Sequence, residues 1–162
     1  IYSYGHRNVQ GMVFDAPTGR LYAHEHGPRG GDEINLIEAG GNYGWPVATF
    51  GLDYSGAVIS PFSERPGMVS PVHQWTPSIA PSGMAFVTSD RYGPGWKGNL
   101  LVGSVKFNFL TRLELAGRKV VREHRLLEEQ GLWIRDVRQG PDGFIYLLTD
   151  NPRGLLVRLR PG

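Results

Sequence analysis

Residues 21–46 read LYAHEHGPRGGDEINLIEAGGNYGWP, and several chemistries compete there. In a strand His24 and His26 share one face and Glu25 takes the other. Two histidines on a face could begin a zinc site, but a third ligand is needed. The helical His-Glu-x-x-His spacing is absent. The plainer reading is one polar inward residue and one packed histidine. HGPRGGDE could also be a phosphate loop, yet it lacks the Gly-Lys-Ser/Thr ending and no helix follows. Calcium fits better, because hard cations take oxygen ligands, backbone carbonyls included. A Gly27–Pro28 turn can aim successive carbonyls at one point, and Asp32, Glu33 and the Asn42–Tyr43 backbone add oxygen nearby. Gly-Pro and Gly-Gly also serve as ordinary turns.

A second set of residues is cationic. YGHRNVQG (residues 4–11) places Arg7, Asn8 and Gln10 beside the start of a strand. Lys106 ends the apolar run LLVGSVK, and Arg135 and Arg138 flank a strand start in WIRDVRQGPDG. Singly, each is an ordinary surface cation. Together they suggest an anionic ligand held by several strand mouths.

These residues need a scaffold, and composition narrows it. The 162 residues are 40% hydrophobic and 20% charged, which suits one globular domain with a core. Net charge is only +2, without long runs of one sign, so nucleic-acid binding is not expected. There is no cysteine, which excludes disulfides, thiol catalysis and Cys–zinc sites. No apolar run reaches membrane-spanning length, and no leader pattern is visible. The opening residues IYSYGHRN read as the middle of a protein.

Helical periodicity is nearly absent; residues 123–130 offer the best candidate and read equally well as strand and loop. Alternation dominates instead, in NLLVGSVKF, FLTRLEL, FIYLLTD and LLVRLRP. With 23 glycines and 12 prolines as punctuation, strand units recur: residues 11–40, residues 83–127 and residues 134–162. Repeated antiparallel units predict an all-β fold, a β-propeller with about three four-stranded blades. Residues 41–82 form a long Pro/Gly-rich insertion, and the last unit lacks an obvious outer strand. About three blades do not close a ring that needs roughly four to eight, so the chain is expected to be half of a larger domain.

GHRNVQG, EHGPRGGDEINLI, GGNYGWP, PSIAPSGM, LLVGSVK and IRDVRQGPDGFIYLLTD, in this order, resemble the soluble PQQ-dependent aldose sugar dehydrogenases, the glucose/sorbosone dehydrogenase family. The resemblance covers residues 5–161. It implies a six-bladed propeller about twice this length, with residues 1–162 as its C-terminal half and PQQ and calcium as cofactors. Arg7 and Asn8 match the pair that contacts PQQ above its reactive carbonyl. Lys106 and Arg135 match cations that hold its oxygens and carboxylates. Gly27 and Pro28 match the backbone ligands of the catalytic calcium, and His26 a polar residue lining that site. Glu33 and the Tyr43 carbonyl match a separate structural calcium site, and Ser78 a small hydroxyl residue near PQQ.

The implied activity is oxidation of an aldose at the anomeric carbon to a lactone, with electrons passed to an external acceptor, in the periplasm or outside the cell. Arg7 would stabilise charge on the quinone oxygen. The family's histidine base belongs to the N-terminal half, and none of His6, His24, His26, His73 or His124 stands in its motif; the isolated chain is expected to be inactive. Trp133 stands where some relatives carry an arginine. Two other readings fit a propeller: a calcium-dependent hydrolase such as a lactonase, and a non-catalytic binding module. The Arg7, Asn8, Lys106 and Arg135 set favours the dehydrogenase.

Overall fold

The computed structural model describes residues 1–161. Their regular structure is eleven strands and one short 3-10 turn, Glu128–Gln130. Three antiparallel sheets follow one another along the chain, each a meander in sequence order. The first joins β1 (Val9–Asp15), β2 (Arg20–Glu25), β3 (Asp32–Ile37) and β4 (His73–Trp75). The second joins β5 (Pro81–Phe86), β6 (Leu100–Ser104), β7 (Leu110–Ala116) and β8 (Lys119–Leu126). The third joins β9 (Ile134–Gln139), β10 (Ile145–Thr149) and β11 (Leu156–Arg158). This is the all-β, blade-by-blade organisation of a propeller, with four, four and three strands per blade.

Two compact units carry these sheets: Ile1–Ala80 holds the first, and Pro81–Gly162 the other two. Within the first unit, Tyr22, Ile34, Leu36, Trp75 and Ile79 are buried. At Gly11 an added Cβ would lie 2.3 Å from Nε2 of His24, so β1 offers glycine where the fully buried His24 needs space. Within the second unit, Ala85, Val87, Leu101, Leu110, Ile134, Val137, Ile145 and Leu147 form one buried cluster. The strands β5 and β6 are buried along their whole length, so they read as continuous apolar or small-residue runs.

Residues 123–130 resolve into the end of β8 and the 3-10 turn rather than a helix. The Pro/Gly-rich stretch 41–82 is not strandless. Its His73–Trp75 segment pairs with Asp32–Ile34 and supplies the fourth strand of the first blade. The third blade has no fourth strand among the described residues, as its sequence suggested.

Candidate functional site

The opening stretch folds as β2, a glycine-rich turn, β3 and a loop that returns to the start of the chain. Four backbone hydrogen bonds hold that start: Gly40 N–H to Tyr2 O, Tyr4 N–H to Gly41 O, Tyr43 N–H to Tyr4 O, and Trp45 N–H to Gly5 O, at 2.7–3.0 Å. An added Cβ at Gly5 would lie 2.3 Å from Asn42 Oδ1, in a backbone with φ of +75°. Only glycine lets the two segments meet this closely.

Between these segments lies a small, partly open cavity. Arg7, Glu25, His26, Gly27, Glu33, Tyr43 and Trp45 all contribute to its wall. The Arg7 guanidinium donates to the His26 carbonyl at 2.9 Å and lies over the Trp45 ring, 5.4 Å from its centroid. Asn8 is exposed, and its Oδ1 accepts from Gln10 at 2.8 Å.

Beneath Arg7 and Asn8 sits the carboxylate of Glu25, a buried residue. Its Oε2 accepts from the backbone N–H of Arg7 at 2.5 Å and of Asn8 at 3.3 Å. Its Oε1 lies 3.1 Å from His6 Nδ1 and accepts from Asn35 Nδ2 at 3.1 Å. A carboxylate oxygen only accepts, which puts the imidazole proton on Nδ1 and leaves Nε2 for the Ser3 hydroxyl at 2.9 Å. The His6 ring also stacks on Tyr43 at 4.5 Å.

Asp32 is the second buried acid. It accepts from Gly27 N–H at 2.9 Å, from the Ser78 hydroxyl at 2.7 Å and from Ala80 N–H at 3.0 Å. The Gly27–Pro28 turn is thereby tied to residues 78–80, and the Ser78 hydroxyl is engaged in that tie. Gly27 itself has no room for a side chain: an added Cβ would lie 2.1 Å from the Gly30 carbonyl oxygen.

Glu33 completes the acidic group. Burial, with the charges of Glu25 and Asp32 adding to it, raises its pKa to about 7, against a lowering by the Asn35 hydrogen bond. Three carboxyl side chains and the glycine-rich turn thus share one corner of the fold, an environment that a cation would relieve. No cluster of three or more acidic or histidine side chains with metal-holding geometry occurs among the described residues. Backbone carbonyls, which a Gly-Pro turn can present, are a further source of oxygen ligands for a hard cation. His24 lies inside the sheet over Gly11, away from a zinc-type ligand set.

The remaining candidates belong to the second unit. Lys106 is exposed in the turn after β6, its ammonium 5.1 Å from the Phe107 ring centroid. Arg135 is the second residue of β9 and forms an ion pair with Asp150, both about half-exposed. Trp133 is 45% exposed, and its carbonyl accepts from Asp150 N–H at 2.7 Å. Arg138 pairs with Asp136 at 3.0 Å.

Sequence reasoning found Arg7, Gly27 and Glu33, which line one cavity. Asp32 was expected only as a nearby oxygen donor, Glu25 only as the residue facing away from its flanking histidines, and His6 and Trp45 had no assigned role. The Asp-Glu pair and the alternation that turns Glu25 away from its flanking histidines were the available signals.

Residues 1–158 match the family model for glucose/sorbosone dehydrogenase. The chain belongs to the glucose/sorbosone dehydrogenase family. It is 45% identical over 163 residues to the aldose sugar dehydrogenase YliI of Escherichia coli, covering 99% of this chain and 44% of that protein. The crystal structure of the soluble aldose sugar dehydrogenase from Escherichia coli in the apo-form superposes with a TM-score of 0.94 at 44% identity, over 100% of this chain and 47% of that one. The PQQ-bound aldose sugar dehydrogenase of Streptomyces coelicolor gives 0.71 at 34% identity, over 96% and 41%. The chain thus spans less than half the length of the family members it matches. No described helix is long and apolar enough to cross a membrane.

Proposed function

We propose that the protein carrying this chain oxidises aldose sugars at the anomeric carbon to lactones, using PQQ and calcium, and passes the electrons to an external acceptor. The observation that supports this reading is one cavity wall shared by Arg7 and the Gly27 turn, with Asn8 beside Arg7, in a chain 34% identical to a dehydrogenase solved with PQQ. The residues present suit such a group. Arg7 keeps N–H donors beyond the one given to His26, which suits an anionic oxygen. The turn and the surrounding carboxylates suit a hard cation.

In this reading the backbone carbonyls of Gly27 and Pro28 hold the catalytic calcium, and Glu33 with the Tyr43 carbonyl holds a structural one. His26 lines the site and anchors the Arg7 guanidinium through its carbonyl. Lys106 and Arg135 are assigned to the cofactor's carboxylates on the resemblance alone. When bound, PQQ supplies two-electron redox chemistry, and calcium polarises it. Arg7 contributes a fixed positive charge beside the developing negative one, held by Trp45 and His26 so that little reorganisation is needed. The proton acceptor for the sugar hydroxyl is assigned to sequence outside residues 1–162, as are the remaining blades. Export to the periplasm or cell exterior fits the same reading.

Purified native protein, stripped with chelator and reloaded, tests it. Aldose-dependent reduction of a redox dye is expected only with both PQQ and calcium, with a lactone as product. Protein loaded with both that oxidises no aldose would overturn the reading.

A further inference from the structure

We propose that Glu25 is the positioning residue for the Arg7–Asn8 pair, an inference that rests on the PQQ reading above. The β1–β2 register shifts between Val9, opposite Glu25, and Gly11, opposite His24. Arg7 and Asn8 lie just before β1, beyond the last paired position Val9, so their N–H groups need another acceptor. Oε2 of Glu25 supplies it for both, at 2.5 and 3.3 Å. The other side of the pair is fixed by His26, whose N–H donates to the Asn8 carbonyl at 3.0 Å and whose carbonyl accepts from the Arg7 guanidinium. The end of β2 thus clamps both residues through consecutive positions, Glu25 and His26.

The carboxylate is itself held from behind. Asn35 Nδ2 and His6 Nδ1 occupy Oε1, so the side chain cannot swing away without giving up both contacts. His6 is braced in turn by Ser3 and by the Tyr43 ring. An apolar side chain of the same length would fill the space but offer no acceptor. Packing alone therefore does not account for a buried acid here. Its chemistry matches two adjacent backbone donors in a segment that must present Arg7 and Asn8 to an anionic quinone.

The test compares Glu25→Met and Glu25→Gln in the native protein, by equilibrium titration with PQQ at saturating calcium and a temperature where both are folded. Both side chains fill the space, but only glutamine retains an oxygen for the Arg7 and Asn8 amides. The Met variant is expected to lose PQQ affinity by about tenfold to a hundredfold. The Gln variant should stay within about threefold of wild type, its oxygen still accepting from both amides. In an Arg7→Ala/Asn8→Ala background the Met substitution should cost no further affinity, whereas a merely structural role would leave its effect additive. Should the Met variant not fold, hydrogen exchange in the wild-type protein decides: slow exchange at the Arg7 and Asn8 amides is expected, and unprotected exchange there overturns the assignment. Equal PQQ affinity in the Met variant and wild type also overturns it, while leaving the PQQ reading intact. Wild-type protein that takes up no PQQ overturns both.

Discussion

Glu25 and Glu33 stand directly opposite each other on β2 and β3, and one amide, Nδ2 of Asn35, donates to both carboxyl groups at 3.1 and 3.2 Å. Like charges directly opposed across a sheet are destabilising. The strain falls on Glu33, whose pKa is raised from 4.5 to about 7, chiefly by burial. A raised carboxyl pKa means that the folded state binds more protons than the unfolded one between those values. Stability should therefore fall as pH rises from about 4.5 to about 7 and level off above, by an amount of order 3 kcal/mol at most. Urea unfolding across this range in chelator measures it. Calcium should flatten the slope, because a bound cation favours the ionised form, and Glu33→Gln should remove both the slope and that response.

At Gly27 the expected result is steric. A methyl group there meets the carbonyl oxygens of Gly30 and Gly31 at 2.1 and 2.5 Å. Gly27→Ala must move the turn whose carbonyls are assigned to calcium. A loss of about 2–4 kcal/mol is expected in urea unfolding, together with loss of calcium-dependent stabilisation.

Asp32 ties that turn to residues 78–80 through three hydrogen bonds. Asp32→Ala leaves Gly27 N–H, Ala80 N–H and the Ser78 hydroxyl without this acceptor. About 3 kcal/mol or more should be lost, since buried donors left unsatisfied each cost about 1–3 kcal/mol. Ser78→Ala removes only one donor and should cost about 1 kcal/mol. Chemical denaturation of the two variants separates a structural tie at Ser78 from a direct cofactor contact. A direct contact would leave stability unchanged and weaken PQQ binding.

Much of the blade pattern was legible because exposed strands announce themselves by alternation. The burial of β10 follows that period, at Ile145, Leu147 and Thr149, whereas in β9 the register shift around Arg135 sets the buried Ile134 and Val137 three apart. Where burial is two-sided, as in β5, the period vanishes, and the turn residues around it carried the reading. The three-residue β4 is too short to show any period within a Pro/Gly-rich stretch. The same division holds at the site. Arg7 and the Gly27–Pro28 turn stand out as motif residues. Glu25 does not, because its partners are two backbone N–H groups and side chains distant in sequence, and no one-dimensional pattern encodes an acceptor for backbone donors beyond a strand end.

In the second unit, Arg135 already has an anion, the carboxylate of Asp150. Both groups are about half-exposed, so the pair should contribute little stability, on the order of 0–1 kcal/mol. Asp150→Asn should leave thermal unfolding nearly unchanged. If Arg135 serves a carboxylate of PQQ, the same variant should bind PQQ a few-fold more tightly at low salt, because the guanidinium no longer has a competing partner. Unaltered affinity would remove Arg135 from the cofactor's partners.

The most direct measurement is a spectrophotometric PQQ titration of the native protein and its Arg7→Ala variant, each in calcium and in chelator. Saturable binding that requires calcium, and that weakens by about tenfold or more without the Arg7 guanidinium, is the expected result. Absence of saturable binding by the wild-type protein in calcium, or equal affinity in the Arg7→Ala variant, would contradict the placement of the cofactor beside Arg7 and the Gly27–Pro28 turn.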